Sequence, residues 1–480
     1  MKQRKLFIAL FALIFISLFF AFTGAQAQEG DPPDLSVQSY TPAVPPRVFL
    51  MDDPVNTDIR IPTEINVDEL RSTGTLFQID YVSAGGQDLW GEPCVAFSPQ
   101  AKAAFEAAAA IWASKLSSDV PVTILACWSD FGDPDILGYS GGNSYYRYFD
   151  NSPYPSVWYQ SALANSIAGY DLDPNDYDMH ITYNSEFNWY YGTDANPGAG
   201  QYDLVTVAAH EIAHGLHFSG VALYDWPQAG QGTFGIPSGI PDLLSDISPT
   251  IYDTFIEDSS GTRLTAYANP SAALNTAFTS NNLWFDGPNA NAANGNARVK
   301  IYAPATWSDG SSYAHLDYLT FYATEHNMMV YAIGSGSANH NPGAVTLGIF
   351  KDMGWELAAN PPANDNFSAA QTVSSPSQIT NWDTSGATNE DTDPLVSDCG
   401  IGQGKATVWY KYTHSGATSA ISVDTEGVDY DTFIAVWIED NGSLTPVACN
   451  GSLGGVYESN VAFQVEDQTT YYIEVGYPYP

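Results

Sequence analysis

The chain has 480 residues, enough for about three domains at roughly 150 residues each, and carries 54 Asp and Glu against 15 Lys and Arg, a formal net charge of −39. Hydrophobic residues make up 44% of it and aromatics 14%, which excludes intrinsic disorder, because a disordered chain lacks the apolar residues a core needs. So few basic residues also exclude a broad nucleic-acid surface, since phosphate binding needs clustered Lys and Arg.

In chain order, Lys2, Arg4 and Lys5 precede an apolar run from Leu6 to Phe22, and Ala25-Gln26-Ala27 supplies a small-x-small cleavage pattern. Residues 1–27 therefore read as a secretory signal peptide, and the expected location is secreted, in the extracellular space. The run is slightly short for a spanning helix, and no later segment is apolar and long enough to cross a bilayer. No integral membrane segment is expected after signal removal. Four cysteines in an exported chain predict two disulfides, and sequence proximity pairs Cys94 with Cys127 and Cys399 with Cys449. A zinc-binding cysteine cluster competes, but there is no C-x-x-C spacing.

Residues 28–70, rich in Pro and Asp, read as a flexible lead-in or a short propeptide. Leu76, Phe77, Ile79 and Tyr81-Val82 then predict a strand. Ser98 as N-cap, Pro99 at the first helical position and an Ala-rich run to Leu116 predict a helix, with Phe105, Ala108, Ala109 and Trp112 on one face. Val120 to Cys127 is a β-branched strand. A second helix is expected over Leu204 to Leu216 with Asp203 as its cap, and a third after Pro342-Gly343, where Leu347, Phe350 and Met353 fall at helical spacing. Residues 218–310, full of Gly, Asn, Pro and Ser, promise only short strands.

The segment from Ala358 to Asn366 marks a boundary, with a linker at 358–364. Beyond it, ATVWYKYT, AISVDT, TFIAVWIED, NVAFQVED and TYYIEVG alternate apolar and polar residues between Gly, Asn and Asp turns. That alternation predicts an antiparallel β-sandwich over 365–480. The fold class expected is α+β, a mixed domain at 71–357 followed by an all-β domain. The final strand expected after YYIEVG is missing, which is compatible with a fragment. The acid surplus is densest in the lead-in and the tail.

The most informative residues are His210-Glu211-Ile212-Ala213-His214. H-E-x-x-H on a helix stacks two imidazoles at i and i+4 on one face, within reach of one Zn²⁺, with Glu211 beside them as general base. A hydrolytic zinc site wants a third protein ligand and an open position. The short HExxHxxGxxH pattern fails here, because His217 stands where its Gly would be and Gly220 where its third His would be. His217 lies about 10 Å from His210 along a helix rising 1.5 Å per residue, too far to converge comfortably, so a core or supporting role is expected for it. Downstream, His315 is followed by Met328-Met329. His326 and a Glu such as Glu257 remain alternative third ligands, and core filling is the alternative role for the two Met.

This order of motifs resembles the leishmanolysin-like metzincins, whose third His is separated from HExxH by a long insertion and followed by a Met-turn. The resemblance implies His315 as third ligand and Met329 as the Met-turn residue. Tyr331 resembles the Tyr of the Met-x-Tyr in astacin-like enzymes, which can sit near the metal and polarise substrate. More widely, residues of roughly 75–357, through NSEFNWYYGTDANPGAGQYDLVTVAAHEIAHGL to PGAVTLGIFKDMGW, are similar to bacterial secreted proteins with a variant HExxHGLGF motif. The tail resembles the accessory β-sandwich domains of secreted bacterial proteases. The implied protein is a secreted zinc metallopeptidase of the metzincin type, with Zn²⁺ as cofactor and protein or peptide substrates. An exported adhesin or glycan-binding protein with an inert or structural metal site is the alternative, supported by the aromatic content and the tail. Calcium is a further expectation at Asp429-Tyr430-Asp431 and Glu390-Asp391-Thr392-Asp393, although neither has EF-hand spacing. Cys94 as a propeptide-style zinc blocker competes with its pairing to Cys127. The sequence leaves oligomeric state open.

Overall fold

The computed structural model describes residues 36–61, 76–237, 247–358, 362–374, 384, 386–388, 393–396, 402–428, 431–440, 442–451 and 458–478. The signal segment, much of the 358–364 linker, Cys399 and most of the two proposed calcium clusters lie outside them. The fold is α+β. Its centre is a six-stranded sheet of β1 (Val48–Asp52), β2 (Phe77–Tyr81), β3 (Val122–Ser129), β4 (Ile136–Gly142), β5 (Met179–Asn184) and β6 (Ala332–Ile333). Their order across the sheet is β6-β1-β4-β5-β3-β2. β2, β3 and β5 run parallel, β4 is antiparallel to both β5 and β1, and β6 is parallel to β1.

Two helices back this sheet. In the helix Pro99–Ala113 the Ser98 side chain accepts a hydrogen bond from the Ala101 N–H, and the predicted apolar face is buried. It ends before Leu116 because Leu116–Ser117 pairs instead with Glu356–Leu357. Trp112 donates its indole N–H to the Ala209 carbonyl at 2.8 Å, locking this helix onto the second one. That helix, Leu204–Gly215, is buried at every residue and capped by Asp203, which accepts from both the Thr206 N–H and hydroxyl. Gly215 is required by packing: a Cβ there would meet Met179 Sδ at 2.2 Å. The chain turns out of the helix at His217, whose φ is 86°. The third predicted helix spans Gly343–Met353, and Trp355 beyond it donates to the Leu216 carbonyl at 2.9 Å.

Two expectations are corrected. Residues 28–70 are not uniformly a flexible lead-in, because β1 lies inside the sheet, flanked by β4 and β6, with Val48 and Leu50 buried. Five residues of alternating pattern between prolines and acids are too short a signal to stand out, and their partners are distant in sequence. The segment 218–310 also holds more than short strands: helices Ile251–Phe255, Ala272–Phe278 and Pro288–Ala293 accompany a three-stranded sheet, and the last of them packs on Gly343–Met353. Cys94 is disulfide-bonded to Cys127, so it has no thiol with which to block a metal.

In the tail, strands Gln371–Thr372, Lys405–Thr413, Thr470–Tyr477, Phe433–Asp440 and Ser443–Gly451 form one sheet in that order, and Ser419–Asp424 pairs with Asn460–Val465 in another. Val408, Ile434, Val436 and Ile473 of the larger sheet pack with Val461, Phe463 and Val465 of the smaller. Trp409, Phe433, Ala435 and Trp437 form a separate cluster with Ala370 and Val396. Alternating side chains point to opposite faces of a strand, so the larger sheet is covered on both. Among the described residues, no helix is long and apolar enough to cross a membrane.

Candidate metal centre

The site helix stacks His210 over His214, and the chain after Ser311 delivers His315 to the same point. Their three Nε2 atoms lie 3.0 Å (His210 to His214), 3.2 Å (His214 to His315) and 3.2 Å (His210 to His315) apart. Each Nδ1 faces a backbone carbonyl: His210 that of Met328 at 2.6 Å, His214 that of Phe218 at 2.7 Å, His315 that of Ser311 at 2.8 Å. A carbonyl oxygen only accepts, so each Nδ1 carries the proton and each neutral ring is left with a bare Nε2 lone pair. Burial is the main reason that protonation is disfavoured, pushing His210 down to about 4 and His214 and His315 well below the usual histidine range.

Three lone pairs aimed at one point repel unless a cation lies between them. In a tetrahedral zinc site with bonds of about 2.0–2.1 Å, neighbouring donors stand about 3.3 Å apart, close to the spacing found here. The donor set therefore fits an ion of this kind, and its carbonyl-anchored rings match how ligating histidines are oriented.

Glu211 is fully buried. Its Oε2 accepts from the Ser140 hydroxyl of β4 at 2.8 Å, and Oε1 makes no formed hydrogen bond. Burial pushes the carboxyl up to about 8, opposed by the Ser140 hydroxyl and by the Leu50 backbone N–H of β1, which lies close to the carboxylate. Gly138 lies under the acid, and a Cβ there would press on the Thr182 carbonyl and the Tyr183 ring, each at 3.2 Å. A cavity of about 20 Å³ beside His210 is lined by Leu50, Thr206, Tyr318 and Met328, enough for about one water.

Met329 is fully buried in the turn Asn327–Met329. The same turn holds the site together, because the Met329 carbonyl accepts from Leu316 N–H at 2.8 Å beside His315 while Met328 anchors His210. Tyr331 stacks on Tyr302 at 4.4 Å between ring centroids, shares a hydrogen bond with it, and lies 5.2 Å from the Tyr318 ring. The other candidate ligands are elsewhere. Glu257 pairs with Arg298 and Arg263, and His326 lies beside Glu325. His217 is seated in the core, its Nδ1 accepting from the Gln160 N–H at 3.0 Å. Ser140, Leu50 and the three carbonyl partners escaped the sequence reading, because a backbone group at a distant position leaves no mark in residue type.

Residues 100–232, from the first backing helix through the site helix, match the model of the SPBPB7E8-like family. No curated protein matches the chain, and no solved structure does.

Proposed function

We propose that the chain is a secreted zinc-dependent endopeptidase of the metzincin type, with a catalytic domain at 71–357, extended upstream by β1, and an accessory β-sandwich at 365–480. The observation that carries the reading is the convergence of three bare Nε2 atoms on the helix and loop that also present Glu211. His210, His214 and His315 would hold Zn²⁺. Zinc bound there supplies a Lewis acid that acidifies a water and polarises a peptide carbonyl. Glu211 is the proton carrier: Ser140 fixes one of its oxygens, and in the ionised form, which a cation held by the histidines would favour against burial, it takes a proton from the attacking water and returns it to the leaving amine. Met329 forms part of the buried floor. Tyr331 keeps the polarising role that the resemblance implies only if its phenol leaves Tyr302.

One observation favours the competing reading, an adhesin or glycan-binding protein with a structural metal: His210, His214, His315 and Glu211 are each at most 1% exposed. Glu211→Gln separates the two. The purified protein is expected to hold one zinc per chain and to hydrolyse casein, and the variant to keep its zinc while losing turnover at least a hundredfold. Equal casein hydrolysis by the variant removes Glu211 from the chemistry, and zinc without hydrolysis in either protein favours the structural reading.

A further inference from the structure

We propose, resting on the metal-centre part of the reading above, that Asn339-His340-Asn341 is a positioning strap for His210. The strap holds the start of the site helix and the turn behind the His210 ring in one fixed relation, and it touches no ligating atom. The His340 ring and the side chain of Asp203, the cap of the site helix, are both fully buried. Asp203 Oδ2 accepts from the Thr206 N–H at 2.8 Å and the Thr206 hydroxyl at 2.6 Å. His340 Nε2 donates to the same oxygen at 2.7 Å.

Capping alone does not call for this pair. Ser or Asn at position 203 would serve the helix start as well, and taking an acid and an imidazole out of water is costly. What His340 adds is a fixed place for the cap relative to a segment 137 residues further along the chain. Thr206 closes the tie, because its hydroxyl donates to Asp203 and accepts from the Asn339 N–H at 2.9 Å. Thr206 stands one turn before His210, so the two share a helix face, and both line the small cavity beside the metal centre.

The other tie of the strap leads to the ring itself. Asn339 Nδ2 donates to Asn327 Oδ1 at 2.6 Å. Asn327 opens the turn Asn327–Met329, and the next residue, Met328, supplies the carbonyl that holds His210 Nδ1. The strap is stiffened locally: Asn339 Oδ1 accepts from the Asn341 N–H at 2.8 Å, and Asn341 Oδ1 from the Gly343 N–H at 3.1 Å. Gly343, with φ 76°, sits so close to the chain before the turn that a Cβ would meet the Glu325 carbonyl oxygen at 2.7 Å. His210 is thus set from two sides, its backbone by the helix start and its ring by the turn, and Asn339 and His340 join the two. His214 lies beyond the reach of the strap, because its Nδ1 is held by the carbonyl of Phe218, four residues on. Cutting the strap should therefore disturb one ligand of the site helix and spare the other.

The test uses the full chain with isotope-labelled histidine and three variants. His340→Leu removes the donor to Asp203, His340→Gln keeps an amide N–H the same number of bonds from Cβ, and Asn339→Ala cuts the tie to Asn327. Two readouts are taken: zinc affinity by competition with a chromophoric chelator, and solvent exchange of the His210 and His214 Nδ1 protons by NMR on the protein as purified. His340→Leu and Asn339→Ala should each weaken zinc at least tenfold, the scale expected for partners one step removed from a metal. Both should speed exchange of the His210 proton at least tenfold and leave the His214 proton within twofold of native. His340→Gln should return both readouts to within threefold of native. Equal acceleration of the two protons shows a tie that only stabilises the fold and overturns the proposal, as do unchanged affinity and unchanged exchange. If the native chain binds no zinc, the metal reading falls, and selective acceleration at His210 still upholds the strap while its absence overturns it. If His340→Leu shows no cooperative melting, Asn339→Ala decides by the same measurements.

Discussion

The His-cluster region and the tail both bury ionisable groups, but they do so to different ends. In the first, three neutral imidazoles are gathered from two stretches of chain onto one point, with the buried Glu211 next to His210 in sequence. In the tail, Glu474 is buried with the Trp437 indole N–H donating to its Oε2 at 3.0 Å, inside a sheet with apolar clusters on its faces. Burial alone thus marks neither region as functional. What separates them is whether the buried donors converge with their lone pairs unspent.

The largest effect that tests this contrast is on metal. Replacing partners one step removed from a metal costs about 10–100-fold in affinity, so His315→Ala, which removes a direct donor, should weaken zinc binding more than a hundredfold. Elemental analysis after dialysis should find less than a tenth of an equivalent in the variant. Retained stoichiometric zinc takes His315 out of the site. Segment-resolved hydrogen exchange should show the change around Leu204–Gly215 and none in Lys405–Thr413.

Stripping metal from the native chain comes next. A ligand present at about 1,000 times its Kd stabilises a fold by about 4 kcal/mol, so excess EDTA should lower exchange protection of the site helix by that order and leave the tail unchanged. Loss of protection in the tail as well would show that it also holds a cation. A smaller effect is expected from Cys94→Ser with Cys127→Ser. The pair closes a loop of sequence separation 33, and disulfides of this kind contribute about 2–4 kcal/mol. The loss should concentrate in β3 and the backing helix, read by the same exchange experiment.

The contrast also explains what could be read before any coordinates. Helix starts were legible because caps are local: Ser98 and Asp203 each bond to a backbone N–H three residues on. His210, Glu211 and His214 share one turn, so their spacing announced them. His315 is 101 residues from His214, and only the resemblance singled it out. β1 was lost because its stabilising partners are backbone groups of β4 and of residues 310–333, and five residues between prolines carry little pattern. Alternation was plain in Ser419–Asp424 and Asn460–Val465, where burial has period two, a strong local signal, whereas Lys405–Thr413 and Phe433–Asp440 are buried in continuous runs. Which sheet each strand joins is a long-range matter that the pattern does not encode.

The effect confined to the tail concerns pH. Burial, with the nearby Asp393 charge adding to it, pushes the Glu474 carboxyl up to about 8 from an ordinary value of 4.5. The folded tail therefore holds a proton that the unfolded chain gives up, and stability falls wherever the unfolded state binds fewer protons. That stability is fully present below about pH 4.5, is lost as pH rises through about 8, and changes no further above it. A loss on the order of 3–4 kcal/mol is expected between pH 5 and 8, measured by exchange protection of Thr470–Tyr477. Glu474→Gln keeps an acceptor for the Trp437 N–H and removes the titration, so its protection should be flat over the same range. If native protection rises instead as the pH goes up, Glu474 is charged in the fold, and burial does not set its protonation.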